Sequence, residues 1–309
     1  LKIVHVAVCI VGFRNPDDIV QCLKALERST HRDFEVVICE NGGEGAFARL
    51  AAALPPSLPG GQLVRAALAS GNLGYAGGVN VCLKETPRAD AWWILNPDTQ
   101  PEPDAMAGMA ARLARGDCEA VGNTIHLPDG RVQSHGGQWR PWLARAVSIG
   151  HGSRHGAVVD PTDIERHQNY LNGASMMIGR RFLETVGPMR EEYFLYCEEV
   201  EWCLRARALG MRLGYALGAD VLHEAGTTTG SYDDIRNRPR MPIYLGERNK
   251  LLTTRDCFPG RLPIAAAASL LLLFLRFGRH RAWRQLGYAL SGWAAGLRGE
   301  RGPPRWLKD

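Results

Sequence analysis

The sequence predicts an α/β fold: a mostly parallel central sheet flanked by helices, with a second subregion and a helical tail behind it. Three observations predict it. The first hundred residues alternate short apolar, β-branched runs with segments of helical period. Glycine and proline, 35 and 18 of 309 residues, fall largely in short breaks between those segments. The composition is that of an ordinary globular chain, 45% hydrophobic and 22% charged, which excludes a disordered chain, a collagen and a coiled coil. The length suits one large domain or two small ones.

The elements follow in order. Val4–Val11 is an apolar run that reads as a buried strand. Pro16–Arg28 carries Ile19, Cys22, Leu23 and Leu26 at helical spacing, with Asn15 as cap and Pro16 at the first helical position. Phe34–Cys39 is a strand, Gly45–Leu54 a short helix stopped by Pro55-Pro56, Leu63–Leu68 a strand, Tyr75–Glu85 a helix and Ala91–Leu95 a strand. Such alternation implies parallel strands with helices on both faces, and in such sheets ligands sit beyond the carboxyl ends of the strands. After Asp98 the rhythm changes. Pro103–Arg115 is helical, Cys118–Ile125 and Val132–Gly136 are short strands, and a Gly/His/Arg-rich stretch to Arg166 reads as loop. Tyr170–Ile178 returns to strand, Glu198–Leu209 is an amphipathic helix, and Leu213–Ala216 and Ala219–His223 are short strands. Leu262–Leu275 is apolar over about 14 residues, short of the roughly 20 that a membrane-spanning helix needs.

Formal net charge is +5, too small a bias to argue for nucleic acid. It is unevenly spread: residues 255–309 hold ten Lys/Arg against three acids, so the rest of the chain carries −2. The apolar run is followed by Arg276, Arg279, His280, Arg281 and Arg284, with Trp283, Trp293 and Trp306 beyond. Two readings stand: a helix lying in a membrane interface, or a core helix capping the domain with solvated arginines. Eight scattered cysteines form no C-x-x-C pair, which argues against a zinc ribbon or redox motif and favours a reduced, cytoplasmic compartment. Leu1-Lys2-Ile3-Val4-His5 has no basic segment or cleavage site, so no signal peptide is expected.

The residues just after the strands carry the chemistry. Glu40-Asn41-Gly42-Gly43 can offer a carboxylate to a base or ribose, or be a turn. Gly71–Asn80 is glycine-rich backbone opening a helix, suited to close approach of a phosphate or sugar, or to a tight turn. In Asn96-Pro97-Asp98, a carboxylate stiffened by proline can hold Mg²⁺ or Mn²⁺ beside substrate phosphates. Glu198 and Glu199 open a helix beside Tyr193, Phe194 and Tyr196; a carboxylate there can act as a general base or simply complement the helix dipole. His223 ends a strand before a Gly/Thr loop and can ligate metal or contact a diphosphate, and Arg248 can bind phosphate or form a surface ion pair.

Taken together and in this order, Glu40-Asn41, Asn72–Asn80, Asn96-Pro97-Asp98, Leu171–Ile178, the Glu198–Arg207 helix, His223 and Arg248-Asn249 resemble the family 2 glycosyltransferases, in particular their bacterial rhamnosyltransferase-like branch. The resemblance runs from about Val4 to Leu252. It implies a GT-A fold, Rossmann-like, with a nucleotide-sugar-binding half (1–100), an acceptor and catalytic half (101–254) and a basic helical region (255–309). It implies inverting transfer from a nucleotide-diphospho-sugar, guessed to be dTDP-rhamnose, to a bacterial surface glycan or lipid-linked glycan, assisted by Mg²⁺ or Mn²⁺. On this resemblance Asp98 and His223 hold the metal, Glu40 contacts the base, and Asn41, Asn72, Gly74, Tyr75, Asn80, Asn96 and Arg248 join Glu40 and Asp98 on the donor. Glu199 matches the catalytic acid, with Glu198 as the other candidate for the proton. Asn96 replaces the first Asp of the family's D-x-D, and Glu replaces Asp at 40 and 199. A cytoplasmic protein is expected, and of the two readings of the C-terminal helix the interfacial one would bring inner-leaflet membrane contact through the basic C-terminal region.

Two other classes compete. A nicotinamide-dependent oxidoreductase requires G-x-G-x-x-G after the first strand, where this chain reads Gly12-Phe13-Arg14-Asn15-Pro16. A non-catalytic nucleotide-sugar- or glycan-binding module of the same fold has no need of Asp98 together with an acid at the helix mouth.

Overall fold

The computed structural model describes residues 4–224 and 234–307. The Gly226–Gly230 loop lies outside them. The first hundred residues fold as read. β1 (Val6–Gly12), α1 (Pro16–Leu26), β2 (Phe34–Glu40), α2 (Glu44–Ala53), β3 (Val64–Leu68), α3 (Gly74–Glu85) and β4 (Ala91–Leu95) alternate, and β3, β2, β1 and β4 lie side by side, all parallel. Strand residues point alternately to opposite faces, so a strand covered on both sides is apolar throughout. In β1, Val6, Val8 and Ile10 pack with Ile19, Cys22 and Leu23 of α1, whereas Ala7, Cys9 and Val11 pack with Val79 and Cys82 of α3. All eight cysteines are free thiols.

The sheet continues without a break into the second half. β5 (Thr99–Pro101), α4 (Ala105–Ala114), β6 (Ala120–His126), β7 (Val132–Ser134), β10 (Ser175–Gly179) and β11 (Leu213–His223) complete it in the order β3-β2-β1-β4-β10-β6-β11-β5, with β7 on β6. β10 runs antiparallel between β4 and β6. The two strands read at 213–216 and 219–223 are one strand with an irregularity between Ala216 and Asp220. The stretch read as loop holds a hairpin, β8 (Gly137–Arg140) and β9 (Arg145–Ser148), and a helix, α5 (Pro161–His167), capped by the Asp160 side chain on the Thr162 amide. Then follow α6 (Arg180–Val186) and α7 (Glu198–Ala208).

From Arg240 onward the described residues are helical. α8 (Arg240–Cys257), α9 (Leu262–Arg279) and α10 (Trp283–Arg298) pack together, and α8 packs on α7. The apolar run is longer as a helix than as a sequence motif. Pro259–Arg279 spans 21 residues and holds an 18-residue window of mean hydropathy 1.6, enough by length and composition alone to cross a membrane, and about 28% of that window is buried. One face, Ala265, Ala266, Ser269, Leu273 and Phe277, is buried as a capping helix requires. The opposite row, Ile264, Leu271, Phe274 and Leu275, is exposed.

Candidate active site

The carboxyl ends of β1 and β4 frame a cavity of about 470 Å³. Proline after Asn96 ends β4, the Asn96 amide donates to the Ala174 carbonyl, and Thr99 Oγ1 donates to the Asn96 carbonyl. This turn sets Asp98 on the cavity wall. β11 ends beside it and delivers His223, whose Nε2 lies 3.2 Å from Asp98 Oδ1. His223 Nδ1 donates to Gln133 Oε1 at 2.7 Å. That bond uses the ring's Nδ1 and turns Nε2 toward the carboxylate. A carboxylate oxygen beside an imidazole nitrogen could hold a divalent cation such as Mn²⁺, whereas Mg²⁺ would rest on the carboxylate and other oxygens. Among the described residues no cluster of three His, Cys, Asp or Glu forms such a site, so the remaining coordination positions fall to solvent or substrate.

Glu198 and Glu199 reach the same cavity from the opposite side. The strap before α7 is unusual: Phe194, Tyr196 and Cys197 all have left-handed φ, at 67, 72 and 66°. Non-glycine residues hold that conformation only when their surroundings impose it. Here Asn249 imposes it. Its buried Nδ2 donates to the carbonyls of Tyr193, Leu195 and Tyr196, each at 2.8 Å. The Tyr75 amide donates to the Phe194 carbonyl at 2.7 Å, and Tyr75 Oη donates to the Gly173 carbonyl. Gly74 has φ +71°, and a Cβ there would stand 2.1 Å from the Phe194 carbonyl oxygen, so the residue has to be glycine.

Burial separates the two acids. Glu198 is buried with Oε2 unpartnered, and burial together with the neighbouring Glu199 charge pushes its carboxyl far above the usual range. Glu199 is half-buried. Burial pushes its carboxyl up to about 7, against the opposing pull of the Glu199 and Val200 amides.

The remaining expected residues divide. Asn41, Asn72, Gly74, Tyr75 and Asn96 line the cavity with Asp98 and His223. Three do not. Glu40 is fully buried, and its Oε1 accepts from the Arg14 and Gly42 amides at 3.0 and 2.6 Å, so it shapes the loops beside β1 and β2. Asn80 clamps residue 189 through both of its amide atoms and donates to Glu191 Oε1. Arg248 is 1% exposed and donates to the carbonyls of Tyr193 and Gly302 and to Asn249 Oδ1. A guanidinium spent on backbone carbonyls inside the fold holds the strap and does not face the cavity. Gln133, which orients His223, went unnoticed in the sequence; a glutamine in a short polar strand carries no signal.

With this geometry in hand, a family model described as "Glycosyltransferase like family 2" matches residues 4–240. Among curated proteins, the N-acetylglucosaminyl-diphospho-decaprenol L-rhamnosyltransferase of Mycobacterium tuberculosis is 28% identical over 237 residues, 67% of this chain and 72% of that one. The low-salt glycan biosynthesis hexosyltransferase Agl10 of Haloferax volcanii is 24% identical over 194 residues, 61% of this chain and 59% of that one. Among solved structures, the mannosyltransferase PcManGT from Pyrobaculum calidifontis, in complex with GDP-Man and Mn²⁺, superposes with TM-score 0.55 at 15% identity, covering 95% of this chain and 87% of that one. At that identity the likeness is one of fold.

Proposed function

The chain belongs to glycosyltransferase family 2, is a sugar transferase on a GT-A fold, and from that premise we propose that it transfers a sugar, with inversion, from a nucleotide-diphospho-sugar to an acceptor hydroxyl, Glu199 serving as the base. The observation that supports this reading is the single cavity shared by Asp98, His223 and Glu199. Residues 1–100 hold the donor, 101–254 supply the acceptor and catalytic half, and 255–309 form a basic helical region. Rhamnose, from dTDP-rhamnose, is the sugar taken first, because the Mycobacterium relative is a rhamnosyltransferase. That relative's name also makes a lipid-linked glycan the acceptor of choice, consistent with a bacterial surface glycan built at the cytoplasmic face of a membrane. The exposed apolar row of α9 and its arginine flank support peripheral contact with that face.

Asp98 and His223 would hold the divalent ion, which when bound supplies positive charge to the donor's diphosphate. The cavity-lining backbone around Gly74 leaves room for the donor's approach. Glu199 accepts the proton of the acceptor hydroxyl as that oxygen forms its bond to the anomeric carbon. The bond from that carbon to the diphosphate oxygen breaks on the opposite side, and the electron pair leaves with the nucleotide. Burial and the neighbouring Glu199 charge favour the neutral form of Glu198, which limits the negative charge in the site. A carboxyl poised near the working pH is an effective general base, whereas one far above it stays protonated.

The test is a thermal-shift panel of nucleotide-sugars with and without Mn²⁺, since a ligand of the folded state raises its apparent stability. A stabilising donor that needs Mn²⁺, followed by transfer to a lipid-linked acceptor, is the expected result. No stabilisation by any nucleotide-sugar would overturn the reading.

A further inference from the structure

The turn between β8 and β9 is built of the wrong residues for a turn in water. Trp142 is 50% and Leu143 38% exposed, side by side, with exposed Arg140 and Arg145 on the flanking strands. Solvated turns use glycine and small polar residues. This one is also held stiff from below. Trp139 is buried, Asn169 accepts from its amide and donates to its carbonyl, and the Leu143 amide donates to the Arg140 carbonyl. Apolar side chains gathered on a rigid exposed turn mark a contact.

The turn stands at one end of α9. The Arg261 guanidinium, which precedes that helix, lies 4.9 Å from the Trp142 ring. Farther along, Ala146 of β9 lines one cavity with Arg276 and Phe277 of α9, so hairpin and helix adjoin at two places. The other end of α9 has a second exposed tryptophan, Trp283, whose ring lies 4.0 Å from where a Cβ on Gly278 would stand. Between the two tryptophans runs the exposed row of Ile264, Leu271, Phe274 and Leu275, on a helix about 27 Å long. The opposite face of α9 is pinned to the body of the protein, where Trp293 Nε1 donates to the Ala266 carbonyl and Ser269 Oγ at 3.2 and 3.1 Å. Held in that way, α9 meets a bilayer flat. Tryptophan favours the boundary between water and hydrocarbon, and an apolar row with one at each end fits that boundary along its whole length.

Charge selects the kind of bilayer. Residues 130–159 hold four arginines and residues 257–299 six, with no Asp or Glu in either stretch. The acids around the helical stretch are already taken: Asp256 by Arg190 and Arg301, Glu300 by Arg298, and buried Glu247 by Lys250 and Arg276. Exposed Arg140, Arg145, Arg279, Arg281 and Arg284 are then a cationic rim beside the apolar row. Such a rim is drawn to anionic headgroups and has little to gain from neutral ones.

We propose that the β8–β9 turn and α9 form one docking surface for an anionic lipid bilayer, with α9 flat in the headgroup layer and Trp142 and Trp283 entering at its two ends. Contact through α9 belongs to the reading above, on which this rests. The hairpin is a second anchor that reading does not require.

The probe is vesicles of phosphatidylcholine with and without phosphatidylglycerol, with brominated acyl chains that quench tryptophan on contact. Trp92, Trp93, Trp139 and Trp202 are buried, so the quenching reads the exposed rings. The full chain should bind the phosphatidylglycerol vesicles at least about tenfold more tightly, and high salt should remove the preference. Trp142→Phe and Trp283→Phe should each remove part of the quenching while leaving most of the binding. Trp142→Ala with Leu143→Ala should weaken binding about tenfold, the loss of two inserted apolar side chains. If that pair disturbs the hairpin, Trp142→Phe still reads whether the turn enters the bilayer. Equal binding to both kinds of vesicle overturns the proposal. So does quenching undiminished in Trp142→Phe; if Leu271→Asp with Phe274→Asp still releases the protein, the contact through α9 stands without the hairpin. A dimer in light scattering that Trp142→Ala with Leu143→Ala dissociates would give this face to a second copy, and also overturns it. None of these readouts measures sugar transfer, so that reading stands or falls separately.

Discussion

The Glu199 carboxyl gives the sharpest prediction. Burial raises it to about 7 from an ordinary 4.5, and a general base works only when ionised. Ionisation, and with it kcat/KM, should be about a tenth of the plateau at pH 6, half at pH 7 and about nine-tenths at pH 8. A carboxyl near 4.3 would be about 98% ionised at pH 6 and give a flat profile. The assay is release of nucleoside diphosphate at subsaturating acceptor, from pH 5.5 to 8.5 at constant Mn²⁺. Glu199→Gln should cost roughly 10² to 10⁴ in kcat with donor binding nearly intact, whereas Glu198→Gln should keep most activity because Glu198 is already neutral. Stability provides an independent reading. Between pH 4.5 and about 7 the unfolded chain has lost this proton and the native state retains it. Stability therefore falls as pH rises through that window. Glu199→Gln removes the fall, so its melting temperature relative to the parent should be higher at pH 8 than at pH 5. A flat kcat/KM across the range, or a Glu199→Gln protein with more than a tenth of the parent rate, refutes the assignment.

Three further outcomes are expected. Asp98→Ala should weaken Mn²⁺-dependent donor binding at least tenfold in a titration, one charge-assisted contact being worth about 1.5–3 kcal/mol; equal affinity with and without metal in the parent would remove Asp98 from that role. Asn249→Ala takes the Asn249 donor from the Leu195 and Tyr196 carbonyls and the acceptor from Arg248 Nε, and should cost about 3 kcal/mol in urea unfolding. It should also lower kcat more than it raises donor KM, because the strap carries the base. Leu271→Asp with Phe274→Asp places charges on the exposed row of α9, and should release the protein from phosphatidylglycerol vesicles in flotation with the melting temperature unchanged; undiminished flotation would argue against that surface.

The sequence made the donor half legible because its signals are local. β1 is apolar throughout because both of its faces are covered, α1 shows its period openly, and Asp98 follows β4 within a few residues. The helical region from Arg240 hides its signals. α8 buries Glu247, Arg248, Asn249, Thr253 and Thr254 beside Ile243, Leu245, Leu251 and Leu252, so its buried residues mix polar with apolar and its period is blurred in hydrophobicity. Its partners are the strap's backbone carbonyls, which have no sequence. α10 is masked in another way. Gly292 and Gly296 look like helix breakers, yet a Cβ at either would stand 2.2 and 2.6 Å from backbone oxygens of α8. They are glycines because two helices touch there. The exposed row of α9 was visible as an apolar run, but which residues face outward depends on what α8 and α10 cover.

This division explains why Arg248 was misplaced as a donor ligand. An arginine followed by an asparagine beside several charges reads as a surface cation that is free to meet phosphate. In the fold, Arg248 and Asn249 meet the strap from below, and the Arg248 guanidinium also takes the Gly302 carbonyl, tying the end of the chain to the same strap. The family match stops at residue 240, before either residue. The match covers the sheet, both metal-side candidates and both acids at the mouth of α7, and the strap that places Glu199 is held from both sides of its limit: by Gly74 and Tyr75 within it and by Arg248 and Asn249 of α8 beyond it.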